Sequence, residues 1–134
     1  MRESRTVSIS IGRDWQQVYE SVWRPRDFQR WASGLSQSEM ELENSGCWKA
    51  QGPEGPIKIR FSAFNAFGVM DHYVRLGNEM EIYIPMRVVA NGDGAEVLFT
   101  LFREPDMTDE NFGADVAWVE RDLQALKRLI EGSD

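Results

Sequence analysis

Basic residues, histidine and cysteine are all scarce in this chain. Across 134 residues there are 15 lysines and arginines against 22 aspartates and glutamates, a net charge of −7, with one histidine and one cysteine. A single cysteine, Cys47, excludes an internal disulfide and suits a reducing compartment. One histidine and one cysteine do not make up the set of about three or four nitrogen and sulfur ligands that a zinc site takes. No loop has the D-x-D-x-D-G spacing of a calcium site, so no metal is expected. Walker, G-x-G-x-x-G and H-E-x-x-H patterns are all missing, and no cofactor is expected. The acidic balance, with no local basic cluster, argues against nucleic acid as a partner. No apolar run approaches the ~18–20 residues of a membrane span, so no membrane insertion is expected. The opening "MRESRTVSIS" has charge but no apolar core like that of a signal peptide. The expectation is a soluble cytoplasmic protein.

What the chain does have is apolar bulk: 42% hydrophobic residues, among them five tryptophans and seven phenylalanines. A chain of this length fits one domain, residues 1–134. Residues 6–11, "TVSISI", alternate strictly and read as a half-buried strand with Val7, Ile9 and Ile11 on one face. The period then changes. Trp15, Val18, Tyr19, Val22 and Trp23 form one helical stripe behind an Asp14 N-cap, with Gln17 in the capping-box position. Pro25 ends that helix and opens a second one, predicted to run to Ser33 before Gly34.

A meander follows. "SEMELE" places Met40 and Leu42 inward; "CWKAQ" is a short strand and "GPEGP" (52–56) a turn. "IKIRFSAFN" turns Ile57, Ile59, Phe61 and Ala63 to one face, and "VMDHYVRL" comes after a turn at Gly68. "GN" (77–78) reads as a hairpin loop. "EMEIYIPMRVVA" sets Met80, Ile82, Ile84, Met86 and Val88 inward, with Tyr83 and Arg87 on the solvated side. Pro85 interrupts that strand and marks a bulge or an edge; a bulge would turn Arg87 inward. After an "NGDG" turn, "AEVLFTLFR" closes the sheet with Val97, Phe99 and Leu101 inward. The last segment is the longest helix, capped by Thr108 and running to Glu131. Its seam is Phe112, Val116, Val119, Leu123, Leu126 and Ile130, with Asp115 and Asp122 off it as surface charges flanking Trp118.

The expected fold is therefore α+β, in the order β-α-α-β6-α, a curved antiparallel seven-stranded sheet wrapped around a long C-terminal helix. One helix is too narrow to fill a wide concave face. The remainder is either plugged by Trp15, Trp23, Phe28, Trp31 and Trp118 or open as a pocket.

This element order, the "FQRWASGL" segment and the closing "PMRV…GAEVLFTLFREPDMTDENFGADVAWVERDLQALKRL" resemble the START/Bet v 1-like (SRPBCC, helix-grip) superfamily over essentially the whole chain. Within it, the chain is similar to polyketide cyclase/dehydrase-like members. The resemblance implies a cavity between sheet and long helix that holds a small hydrophobic ligand. It carries no catalytic triad to transfer.

Alternation puts Val69, Asp71, Tyr73 and Arg75 on one face and Met70, His72, Val74 and Leu76 on the other, so His72 points inward. The candidate cavity set is Phe28, Trp31, Met40, Phe61, Met70, His72, Ile82, Met86, Phe99 and Val119. It is apolar and rich in adaptable methionine. Three functions remain open. One is binding of a lipid- or polyketide-like molecule. Another is a polyketide cyclase or dehydratase with His72 as general acid/base. The last is a protein-interaction domain with its cavity closed. Monomer and homodimer are both compatible, since outward Leu98 and Phe102 alone do not make an interface.

Overall fold

The computed structural model describes residues 1–43, 46–77 and 81–132. Alternation at the N-terminus makes β1 (Ser4–Ile11), whose inward side chains grow more buried from Val7 to Ile11. Asp14 caps α1 (Trp15–Val22) by accepting the amides of Gln16 and Gln17 at 3.1 and 3.3 Å, and Val18, Tyr19 and Val22 are the buried face.

Pro25 opens α2, which is only Pro25–Phe28 rather than a helix to Ser33. The reason lies 88 residues away. The Gly34 amide and the Ser33 hydroxyl donate to the Asp122 carboxylate at 2.9 and 2.7 Å, so this stretch folds into turns against the long helix. The meander gives β2 (Glu41–Leu42), β3 (Trp48–Gly52), β4 (Gly55–Phe61), β5 (His72–Leu76), β6 (Glu81–Ile84), β7 (Met86–Asn91) and β8 (Gly94–Phe102). Met40 is buried, but Leu42, expected inward, is exposed on a two-residue strand too short to hold one face in the core. Met80 and Asn78 of the expected hairpin lie outside the described residues. Thr108 caps α3 (Asp109–Glu131) by accepting the Asn111 amide, as the sequence predicts.

The strands do not form one seven-stranded sheet. They form a three-stranded sheet in the order β1-β8-β7 and a five-stranded sheet in the order β2-β3-β4-β5-β6, with every pair antiparallel. The strand expected over residues 79–90 divides at Pro85, which has no amide to give a ladder. Its first half pairs with β5, His72 opposite Ile84; its second half pairs with β8, Met86 opposite Phe99. Residues just before β5 cross the seam. The Met70 amide donates to the Met86 carbonyl and the Val88 amide to the Gly68 carbonyl, both at 2.9 Å.

Asp71 closes the seam from outside. Its carboxylate accepts the Met86 amide at 2.9 Å, the Tyr83 hydroxyl at 2.9 Å and the Arg87 guanidinium. Side-chain parity survives the break: Met86 is fully buried and Arg87 stays on the outer face, so the inward turn allowed for Arg87 does not occur. The core lies between the sheets and the three helices, with α1 on β7 and β8 and α3 on β1.

Gly68 is the tightest point of the seam. Its φ is +69°, and a Cβ there would sit 2.1 Å from the Val88 carbonyl oxygen. Gly92 has a φ of +58° with nothing within 4 Å of such a Cβ. Gly92→Ala is expected to lower stability by about 1 kcal/mol, the backbone term alone. Gly68→Ala is expected to lose about 3 kcal/mol or more, because two strands must separate. Urea unfolding of the two variants checks this, and equal losses would contradict it.

Candidate functional site

Between β5, β6, the end of β8, α3 and the turns after α2 lies a cavity of about 300 Å³. That volume is at the lower end of the ~300–1,000 Å³ of small-molecule pockets. Six of the ten residues expected to line it do so: Phe28, Trp31, His72, Ile82, Phe99 and Val119. Met40, Phe61, Met70 and Met86 do not; Met40, Met70 and Met86 are buried core, and Phe61 packs against that core. Val119 is the seam residue of α3 that meets the cavity, and it is half-buried where Val116 and Leu123 are fully buried. The remaining walls include Val74, Leu76, Ile84 and Leu101. They stand at inward positions of β5, β6 and β8, and alternation finds each of them.

The acidic residues of the rim are less legible. Glu54 of the turn between β3 and β4, Glu104 after β8, and Asp115 and Asp122 of α3 all line the cavity. Asp122, expected on the surface, is buried and satisfied by Ser33 and Gly34, and the Trp118 indole N–H donates to Ser33 at 2.8 Å. Its side of the helix is dry because the post-α2 turn folds over it, a contact no local pattern announces. Glu104 pairs with Arg2 at 2.6 Å. Burial, and then the charge of Glu54, raise the Asp115 carboxyl above its ordinary value. Among the described residues, no group of histidine, cysteine and carboxylates could hold a metal ion.

His72 sits at the inner wall, 1% exposed. Its ring is enclosed by Phe28, Phe61 and Phe99 at centroid distances of 5.2, 5.9 and 6.0 Å. Nδ1 lies 3.0 Å from the Met70 carbonyl oxygen. A carbonyl only accepts, so Nδ1 carries the proton and Nε2 is the bare nitrogen. Burial, opposed weakly by that hydrogen bond and by Asp71, lowers the imidazole pKa from 6.5 to about 4. Nε2 has no partner among the described residues. Among the described residues, the buried polar atom that is both unpartnered and sealed is Nε1 of Trp31; Nε2 of His72 is unpartnered but not sealed, on a residue that lines the cavity. His72 thus offers one hydrogen-bond acceptor inside an apolar space.

A curved antiparallel sheet gripping a long C-terminal helix over such a cavity defines the helix-grip, Bet v 1-like fold. No family model matches the sequence, and no curated protein matches it. Solved structures do. Ara h 8.0201, of the Bet v 1 family, is 9% identical over 99% of this chain and 100% of its own, with a TM-score of 0.69. DynU16, from the dynemicin biosynthetic locus, is 16% identical with a TM-score of 0.70; the match covers 98% of this chain and 48% of DynU16. The Aha1 dimer from Colwellia psychrerythraea is 15% identical over 94% of each chain, with a TM-score of 0.69. Identities this low establish a shared fold alone.

The buried imidazole has a consequence for stability. Its folded pKa of about 4 lies below the unfolded 6.5, so acid protonates the unfolded chain first. The stability His72 permits is full above pH ~6.5 and falls as pH drops toward ~4, by about 3 kcal/mol in all. In urea unfolding between those limits, His72→Phe should lose that much less than wild type. Parallel curves for the two proteins would show that burial does not hold His72 neutral.

Proposed function

We propose that this protein binds a small hydrophobic or amphipathic molecule, of lipid- or polyketide-like character, in the cavity between the sheets and α3. The observation that carries the reading is the cavity itself: about 300 Å³, walled mainly by apolar side chains, with the unpartnered Nε2 of the buried His72 presented to it. The same volume counts against a closed interaction domain. The likeness in fold to Ara h 8.0201 and DynU16 supports a ligand-binding or polyketide-related role.

Catalysis by His72, as in a cyclase or dehydratase, is the second reading. A bare Nε2 facing the cavity favours it. Two features weigh against it. An imidazole with a pKa of about 4 is a weak base at neutral pH, whereas an efficient acid/base group titrates near the working pH. Behind Nδ1 stands a neutral carbonyl rather than a carboxylate, and Asp71 faces the other side of the sheet. An imidazolium formed in a reaction would have no carboxylate hydrogen-bonded to it, only the charge of Asp71 across the sheet.

Native mass spectrometry of freshly purified protein should show extra mass that leaves on denaturation. Added naphthalene should raise the melting temperature of wild type by mass action. Val119→Trp, which fills the cavity from α3, should fold and lose that shift. A bare chain mass together with no naphthalene shift would overturn the binding reading.

A further inference from the structure

Two polar regions of the cavity are left to a ligand, and they differ in chemistry; the Tyr83 hydroxyl and the Trp118 indole, also on its lining, already donate to Asp71 and Ser33. Inside, Nε2 of His72 is an acceptor without a donor, locked in that tautomer by the Met70 carbonyl. At the rim stand Glu54, Glu104, Asp115 and Asp122, and among the described residues no lysine or arginine lines the cavity. Two of these carboxylates are already engaged, Glu104 by Arg2 and Asp122 by Ser33 and Gly34. Glu54 and Asp115 have no hydrogen bond or ion pair among the described residues, and the charge of Glu54 acts on Asp115.

A carboxylate or phosphate entering this mouth would meet like charge, offset at Glu104 by Arg2 but not at Glu54 or Asp115. A carbonyl or ether oxygen at the inner end would face the bare Nε2 lone pair to lone pair. An ammonium group at the rim would relieve the repulsion between Glu54 and Asp115, and a hydroxyl inside would supply the donor that Nε2 lacks.

We infer that the cavity takes a compact aromatic or alicyclic molecule with a hydroxyl at its buried end and an amine, not an acid, at its outer end. This rests on the binding reading above and narrows it. Fatty acids, phospholipids and acyl groups on phosphorylated carriers are disfavoured as ligands by the same charges.

The test is a matched series titrated calorimetrically at pH 7 and low salt: naphthalene, naphthol, methoxynaphthalene, an aminomethyl-naphthol and a hydroxynaphthoic acid. Naphthol should bind roughly five- to tenfold tighter than methoxynaphthalene, the worth of one buried hydrogen bond. The aminomethyl-naphthol should bind at least about fivefold tighter than the hydroxynaphthoic acid, and salt should narrow that gap. His72→Phe should erase the preference for naphthol over methoxynaphthalene. Glu54→Gln combined with Asp115→Asn should erase the amine preference. If naphthalene binds but naphthol and methoxynaphthalene are equal, or the acid equals the amine, the ligand class is wrong while the binding reading stands. If no member binds, both fall together.

Discussion

The Asp71 carboxylate holds the fold together where the chain has no backbone means of doing so. At Pro85 the sheet loses an amide, and the two halves of that stretch depart into different sheets. The next amide, that of Met86, donates to Asp71 instead of to a strand. Tyr83 and Arg87, from either side of the break, donate to the same carboxylate. One side chain therefore ties the end of β6 to the start of β7. Because neighbouring residues on a strand face opposite ways, fixing Asp71 outward fixes His72 inward. The group that closes the seam also orients the one titratable side chain of the inner wall.

Three carboxylates show how environment sets the role of one functional group. Asp71 is half-buried and spends its charge on Arg87 and two further donors. Asp122 is buried among neutral donors, an amide and a hydroxyl, so it organises a turn rather than an ion pair. Asp115 has neither, and burial next to Glu54 disfavours its charged form. The first two carboxylates stabilise the fold, each leaving a costly unpaired partner if removed. The third is in a state that a ligand could improve, which is the usual mark of a binding group rather than a structural one.

Much of this was legible in the sequence because it depends on period and parity. The inward facing of His72, both ends of α3 and the trouble at Pro85 follow from alternation, capping and the missing proline amide. Parity says which side chains face inside but not whether inside is core or cavity, and there the reading stopped. Met70 and Met86 share a face with His72 and Phe99, yet both are buried in the core, where α1 packs on β7 and β8. The cavity opens further along, where only α3 and the turns after α2 roof the sheet. The same limit hid Asp122: its burial depends on a turn 88 residues away in sequence, and a carboxylate off a helical seam reads as solvated. Pro85 marks a disturbance in the sequence, but whether it bends one sheet or divides two is decided by partners across the ladder.

What remains is why a pocket so apolar should keep one imidazole. Filling the wall with leucine would avoid the penalty that burial imposes on a polar ring. A neutral imidazole with its proton held by Met70 contributes little to packing that an aliphatic chain would not, and it lacks the hydrogen-bonded carboxylate that usually orients an acid/base histidine. Its distinctive property is a fixed lone pair in a dry space. Such a group discriminates more by what it rejects than by what it attracts, since a ligand without a donor leaves it desolvated and unpaired. Apolar walls alone separate ligands by about one methylene's worth of free energy; a single unpartnered acceptor separates them by kind.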